Sequence, residues 1–283
     1  MSDLVISIVL CVAVAVIYAF AALIQSRHGH RTVRELTRMP VWWVAQVLNA
    51  AGAALHVWSL GFGPLSLIQP LGVLTLVIAV PLAAASARRR VTAQELVGMG
   101  ATVVGLAGLT MIIATAGHAD TLTSDELTWL LVAGGAVLVA LIVRGHRPGA
   151  SALWEATAGG LAYSVCSALC QTVVLHVDQE GAGVLLRPDT IVAMVAIVAL
   201  AITATVVTQR SYRDGLGAPL AVTNLVNPAS ATAIGVLFLG ESLAATQLQV
   251  VLALACAATA AFGVTQLARA RDAERAPVLA AVH

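Results

Sequence analysis

The basic residues of this chain lie in alternate gaps between long apolar stretches. All 15 are arginines, and every one except Arg187 falls in an odd-numbered gap or in the C-terminal tail. Loops that carry Lys and Arg stay on the cytoplasmic side of a membrane, so the alternation predicts a polytopic membrane protein with its N-terminus outside and its C-terminus inside. A content of 59% hydrophobic and 10% charged residues supports this class, because a water-soluble fold could not bury so much apolar surface.

Nine apolar stretches have the length of a membrane-spanning helix, about 17 to 25 residues. We predict an all-α fold with helices at residues 4–25, 41–62, 64–86, 93–116, 127–143, 152–176, 190–208, 217–239 and 245–268. One missed or invented helix would break the arginine alternation, which therefore supports this number. The first stretch has no positive residue before it and is too long for a signal peptide, so it is counted as a span in the cytoplasmic (plasma) membrane.

An internal repeat relates the two halves of the chain. The segments Gly61–Gly72 and Gly217–Pro228 each carry a proline near a helix start and a second proline six or nine residues later, and a helical hairpin follows each. The first copy comprises the third and fourth predicted helices, and the second copy comprises the eighth and ninth. Because the offset of five helices is odd, the two copies must have opposite orientations in the membrane. We expect a four-helix repeat at 1–116, an inverted five-helix repeat at 127–268 and a charged, frayed cytoplasmic tail at 269–283, within one integral membrane domain. Inverted repeats are typical of secondary transporters.

The proline segments resemble the repeat of the drug/metabolite transporter (EamA-like) superfamily, in which a proline inside an apolar helix precedes a Gly-Glu hairpin. The matching residues are Asn227-Pro228 and Leu239-Gly240-Glu241-Ser242-Leu243, with a degenerate copy at Gln69-Pro70-Leu71-Gly72. The run from Pro64 to Gly72 is also similar to the NIPA-type magnesium-transporter branch, whose members have nine helices. The resemblance covers the chain from about residue 40 onward. It implies two five-helix repeats with the first helix absent, and the transport of a small solute.

Two prolines and several uncharged polar side chains are the candidate substrate-binding residues. Pro70 and Pro228 each remove a backbone donor and free a carbonyl of the preceding turn, which either exposes backbone at a substrate cavity or kinks the helix for packing. Polar side chains inside the predicted helices either line the cavity or join two helices by a hydrogen bond that contributes about 1 kcal/mol. These side chains are Gln69, Asn227, Asn224, Asn49 and His56.

Glu155 is the acid that we place within a span, one turn into the sixth predicted helix. It either complements the dipole of the helix start and stays hydrated, or forms a cation or proton site. Magnesium sites depend on carboxylates, whereas the other candidate side chains here are mainly amides. We therefore favour an uncharged, zwitterionic or amphipathic metabolite or drug as the solute, moved by alternating access. A permease for magnesium or another divalent cation is the alternative.

Missing residues exclude several other function classes. The chain has no lysine, so it is not by itself a P-loop ATPase and cannot form a retinal or pyridoxal Schiff base. Neither an HExxH nor a GxSxG motif occurs, and we expect no enzymatic activity. The four cysteines have no CxxC spacing, so we predict no metal site and no cofactor, and nothing indicates nucleic-acid binding. Several glycines permit close helix approach without deciding the oligomeric state: Gly105, Gly108, Gly159 and Gly160.

Overall fold

Helices make up nearly all of the described part of the chain. The computed structural model describes residues 3–59, 74–113, 122–238 and 247–280, and no β-strand occurs in these ranges. The α-helices are α1 (Asp3–Arg27), α2 (Val33–Leu36), α3 (Pro40–Ser59), α4 (Leu74–Ser86), α5 (Ala93–Ile113), α6 (Ser124–Gly145), α7 (Leu153–Glu180), α8 (Pro188–Ser211), α9 (Gly217–Phe238) and α10 (Gln247–Ala280). Two short 3-10 helices, Ala182–Leu186 and Tyr212–Asp214, follow α7 and α8.

Five of the described helices are long and apolar enough to cross a membrane. They are α6, α7 and α8, together with Val9–Arg27 of α1 and Gln247–Ala270 of α10. Two shorter apolar helices are Leu74–Ser86 and Ala93–Leu109. A helix satisfies its own backbone hydrogen bonds, which a segment in lipid must do. The fold is therefore that of a polytopic α-helical membrane protein.

Each of the nine predicted ranges overlaps a described helix, although several helices begin or end outside their range. The predicted range 127–143 corresponds to the longer α6, because Thr123 and Glu126 form a capping box that starts the helix at Ser124. The N–H of Thr123 donates to the Glu126 carboxylate at 2.8 Å. The number of spans and their division into inverted repeats stay predictions.

Two further differences concern segments outside the nine predicted helices. Helix α10 continues to Ala280, so the described part of the predicted frayed tail, 269–280, is helical. The first arginine-bearing gap contains the one-turn helix α2, which a capping box of Thr32 and Glu35 begins. Four-residue capping motifs can start a helix in a polar gap where no apolar periodicity is present.

The described residues fall into two compact units. Unit 1 lies within Met1–Thr115, Tyr212–Ala221 and Thr246–His283. In this unit α1 packs against α3 and α4, and α5 packs against α10. The contact between α5 and α10 depends on small residues, since a Cβ atom on Gly108 would lie 2.5 Å from the sulfur of Cys256. A Cβ atom on Gly105 would likewise meet the backbone of α10, so the close helix approach expected at these two glycines is confirmed.

Unit 2 lies within Ala116–Ser211 and Val222–Ala245. Helix α7 packs against α6 and α8, and buried leucines from α6 and α7, including Leu130 and Leu169, form part of its core. The units differ from the predicted repeats, because α10 belongs to unit 1 although its sequence lies in the second repeat, 127–268. Units are defined by packing and repeats by sequence similarity, so the repeat assignment stays a prediction.

Candidate functional site

Helix α9 has an interrupted hydrogen-bond pattern around Pro228. Proline has no amide hydrogen, so the carbonyl of Asn224, one turn earlier, lacks the donor that a regular helix would supply. The side-chain amide nitrogen of Asn224 is buried and has no hydrogen-bond partner among the described residues. Buried polar groups are normally paired, and leaving one unpaired costs about 1–3 kcal/mol. Asn224 therefore offers a donor and an acceptor at one position of an apolar helix.

The neighbouring amide, Asn227, is held by helix α7. The hydroxyl of Ser164, which is fully buried, lies 2.6 Å from the backbone carbonyl oxygen of Asn227 and 3.0 Å from its side-chain oxygen. The same hydroxyl lies 3.0 Å from the carbonyl oxygen of Gly160, and its single hydrogen is shared among these acceptors. Asn227 thus joins α9 to α7. Sequence reasoning missed Ser164, because small hydroxyl residues are frequent in apolar helices and carry no signal of their own.

Helices α7 and α9 approach closely at this point because Gly160 has no side chain. A Cβ atom on Gly160 would lie 2.8 Å from the Cβ of Val226 and 3.0 Å from the carbonyl oxygen of Thr223. The Thr223 hydroxyl donates to a carbonyl oxygen of α7 at 3.2 Å. The preceding residue, Gly159, contacts the side chain of Thr208 on α8. The expectation that these two glycines permit close helix approach is confirmed, and it accounts for the contact of α7 with both neighbours.

Glu155, the candidate cation or proton site, forms an ion pair with Arg210 at the end of α8. The Nε of Arg210 donates to the carboxylate at 2.8 Å. The side chain of Glu155 is 0% exposed, whereas that of Arg210 is 40% exposed. The carboxylate is therefore buried rather than hydrated at the helix start. Arg210 already supplies the positive charge that a bound cation would bring, and a cation would have to compete with it.

Sequence reasoning missed a second acid inside a predicted span. Glu95 lies in the first turn of α5, and its carboxylate accepts hydrogen bonds from Arg89 at 2.7 and 2.8 Å. The N–H and hydroxyl of Thr92 also donate to Glu95, at 2.9 and 3.2 Å. The signal was present, because Thr92-x-x-Glu95 is a capping-box sequence. Each of these two acids, Glu95 and Glu155, is balanced by an arginine of its own unit.

The remaining predicted site residues lie between positions 49 and 70 of the sequence. Gln69 and Pro70 lie outside the described residues. Asn49 is half-buried in α3, and His56 is in the same helix, but its side chain lies outside what the structure describes. The structure thus brings together the three predicted residues of α9 within unit 2. The pairing of Pro70 with Pro228 at one cavity stays a prediction.

No cluster of metal-binding side chains occurs in the described ranges, where no three His, Cys, Asp or Glu residues lie close enough together to hold an ion. Comparisons with protein-family models, with curated proteins and with solved structures found no match for this chain. Function is therefore inferred from the chemistry of the site.

Proposed function

We propose that this chain is a secondary transporter of the drug/metabolite (EamA-like) class, which moves a small uncharged, zwitterionic or amphipathic metabolite or drug across the cytoplasmic membrane by alternating access. The observation that carries the proposal is Asn224, whose buried amide nitrogen has no partner among the described residues and whose carbonyl is freed by Pro228. Substrate sites of secondary transporters are typically formed by interrupted helices of this kind. A solute that accepts from the amide and donates to the carbonyl would satisfy both groups.

A neutral polar group matches the side-chain amide nitrogen and the backbone carbonyl oxygen of Asn224 better than a metal ion does. The amide nitrogen is a hydrogen-bond donor and repels a cation. Magnesium sites depend on carboxylates and retained water, whereas Glu95 and Glu155 are both engaged by arginines. The divalent-cation permease therefore remains the alternative, with no observation that favours it.

The membrane arrangement that we propose has nine spans in two inverted repeats, with the N-terminus outside and the C-terminus in the cytoplasm. The arginines support it, because they occupy alternate gaps between apolar stretches. The two proline segments support the inversion, because an odd helix offset separates them. Labelling of single cysteines introduced into the Arg88–Arg90 gap and beside Glu241 would test it, since the two sites should be reached from opposite sides.

Transport into proteoliposomes tests the proposed function. The purified protein is first screened for thermal stabilisation by neutral amino acids, nucleosides, polyols, amphipathic drugs and Mg²⁺, because a ligand at 100 times its Kd adds about 2.7 kcal/mol to the stability of the folded state. Uptake of the stabilising solutes is then measured. We expect uptake by the wild type and about tenfold less, or lower still, with Asn224→Leu, which removes the side-chain donor.

The same variant separates binding from folding. Asn224→Leu keeps the approximate volume and removes an unpaired buried amide, so its stability should equal or exceed that of the wild type by up to about 1–3 kcal/mol. Gln171→Leu, which replaces an exposed amide on α7, is the matched control and should retain uptake. Unchanged uptake in Asn224→Leu would show that Asn224 does not bind the transported solute. Magnesium flux that is lost in Glu155→Gln, without flux of any neutral solute, would establish the cation permease instead.

A further inference from the structure

Unit 1 contains a cavity at the end where its helices meet the arginine-bearing gaps. Its volume is about 240 Å³, which equals the liquid volume of roughly eight water molecules at about 30 Å³ each. Apolar side chains form part of its wall, including Leu23 of α1, Val80 of α4 and Leu267 of α10. None of the lining residues is among the predicted substrate-binding residues, so the cavity requires an explanation of its own.

Among the described residues, the ionisable side chains that line this cavity carry a net positive charge. They are Arg27, Arg89 and Glu95. Arg89 and Glu95 neutralise each other, and two hydrogen bonds join them. The N–H of Thr92 donates a further hydrogen bond to the Glu95 carboxylate. Arg27, at the end of α1, is exposed and forms no ion pair with any acid whose side chain the structure describes. Its guanidinium is therefore the uncompensated charge among the described side chains of the cavity.

The N-terminus of α9 lines the same cavity. Gly217 and Ala218 are the first two residues of this helix, where amide groups have no acceptor within the helix. Leu216, which precedes them, has no side-chain oxygen for capping, and the third residue, Pro219, has no N–H. By contrast, a capping box closes the start of α5 at this cavity. Two amides without a capping side chain among the described residues, and the positive end of a helix dipole, thus add to the charge of Arg27.

We propose that this cavity binds a phosphate group, carried either by a lipid headgroup or by a free anion. Guanidinium groups and the amides of helix N-termini are the donors with which proteins commonly bind phosphate. The apolar wall beside these donors suits the glycerol and first acyl carbons of a phospholipid. The cavity volume also accommodates inorganic phosphate alone. Both sources present the same oxygens to Arg27 and to the start of α9.

Binding of two defined probes tests the proposal and distinguishes the sources. Phosphatidylglycerol is added to the full-length protein in detergent, and the bound lipid is counted by native mass spectrometry. Inorganic phosphate is titrated at constant ionic strength against chloride, and the rise in melting temperature is measured. We expect at least one probe to bind, with about tenfold weaker binding in Arg27→Gln, because a hydrogen bond from a charged donor is lost. Arg27→Lys keeps the charge but lacks the planar guanidinium with its paired donors, so its affinity for the probe should be intermediate.

The control is Arg34→Gln, which removes the same charge from an exposed residue of the same gap that does not line the cavity. It should leave binding unchanged. Because Arg27 and Arg34 are both exposed, neither variant disturbs packing, and equal melting temperatures without ligand verify this. Binding of phosphatidylglycerol alone assigns the lipid, and binding of inorganic phosphate assigns the free anion. If neither probe binds, or if Arg34→Gln weakens binding as much as Arg27→Gln, the proposal is wrong.

Discussion

Replacing Gly160 by alanine perturbs the contact between α7 and α9 directly. The new Cβ atom would lie 2.8 Å from the Cβ of Val226, whereas carbon atoms in contact are about 3.5–4.0 Å apart. The two helices must therefore separate by about 0.7–1.2 Å. The distance from the Ser164 hydroxyl to the Asn227 carbonyl oxygen, now 2.6 Å, would increase to about 3.3 Å or more, where the hydrogen bond is weak or lost.

The energetic consequence can be estimated from three contributions. Alanine is favoured over glycine inside a helix by about 1 kcal/mol. Overpacking costs about 1–3 kcal/mol, and the lost hydrogen bond costs about 0.5–1.5 kcal/mol. We expect Gly160→Ala to destabilise the protein by about 0.5–3.5 kcal/mol. Gly135→Ala on α6 is the matched control, because no atom lies within 4 Å of its added Cβ, and it should be stabilising by up to about 1 kcal/mol.

Unfolding in mixed detergent and dodecyl sulfate micelles, followed by tryptophan fluorescence, measures the difference. Gly160→Ala should unfold at a lower dodecyl sulfate fraction than the wild type, and Gly135→Ala at an equal or higher fraction. Both variants add one methyl group to a helix of unit 2. The difference between their unfolding midpoints therefore reports the contact of Gly160 with α9 and not the change from glycine to alanine itself. Equal unfolding midpoints for both would refute the close approach of α7 to α9 at Gly160.

Two further predictions concern ion pairs that differ in burial. Arg210→Gln removes the cation paired with the buried Glu155 and should cost about 1–3 kcal/mol, less than a fully buried pair because Arg210 is 40% exposed. Adding Glu155→Gln should restore most of that stability in a double-mutant cycle, and strictly additive losses would contradict the coupling. The ion pair of Arg187 with Glu180 is exposed on both sides. Hydrogen bonding to Glu180 raises the pKa of Arg187, but solvent screens the attraction between the two charges. Glu180→Gln should leave the melting temperature unchanged at physiological salt, and a clear decrease would show that solvent does not screen this pair.

The helix positions were predictable because the bilayer imposes one length on every spanning segment. The range 190–208 predicts the centre of α8, Pro188–Ser211, from apolar composition alone. The ends were less predictable, since they depend on local capping. Thr123 moves the start of α6 towards the N-terminus by its hydrogen bonds with Glu126. Such ends can be found only by searching the polar gaps for capping motifs.

The candidate site was predictable in part for a different reason. Asn224, Asn227 and Pro228 stand out as polar or helix-breaking residues in apolar surroundings. Their partners do not, because Ser164 is 63 residues from Asn227, and the rotation of each helix about its axis decides which side chains meet. In a water-soluble protein an apolar stripe would reveal that rotation. In helices that are apolar on all sides no such stripe exists, so the sequence does not indicate that Ser164 meets Asn227.

The order of synthesis has a consequence for unit 1, because its last helix is made after all of unit 2. Gln94 of α5 and Gln266 of α10, joined by a 3.2 Å hydrogen bond, lie 172 residues apart. A ribosome that adds about 5–20 residues per second needs about 9–34 s for that stretch. During this interval the glycine-bearing face of α5 contacts lipid or the insertion machinery. Unit 1 therefore contains the first helix to be made, but it is the second unit to be completed.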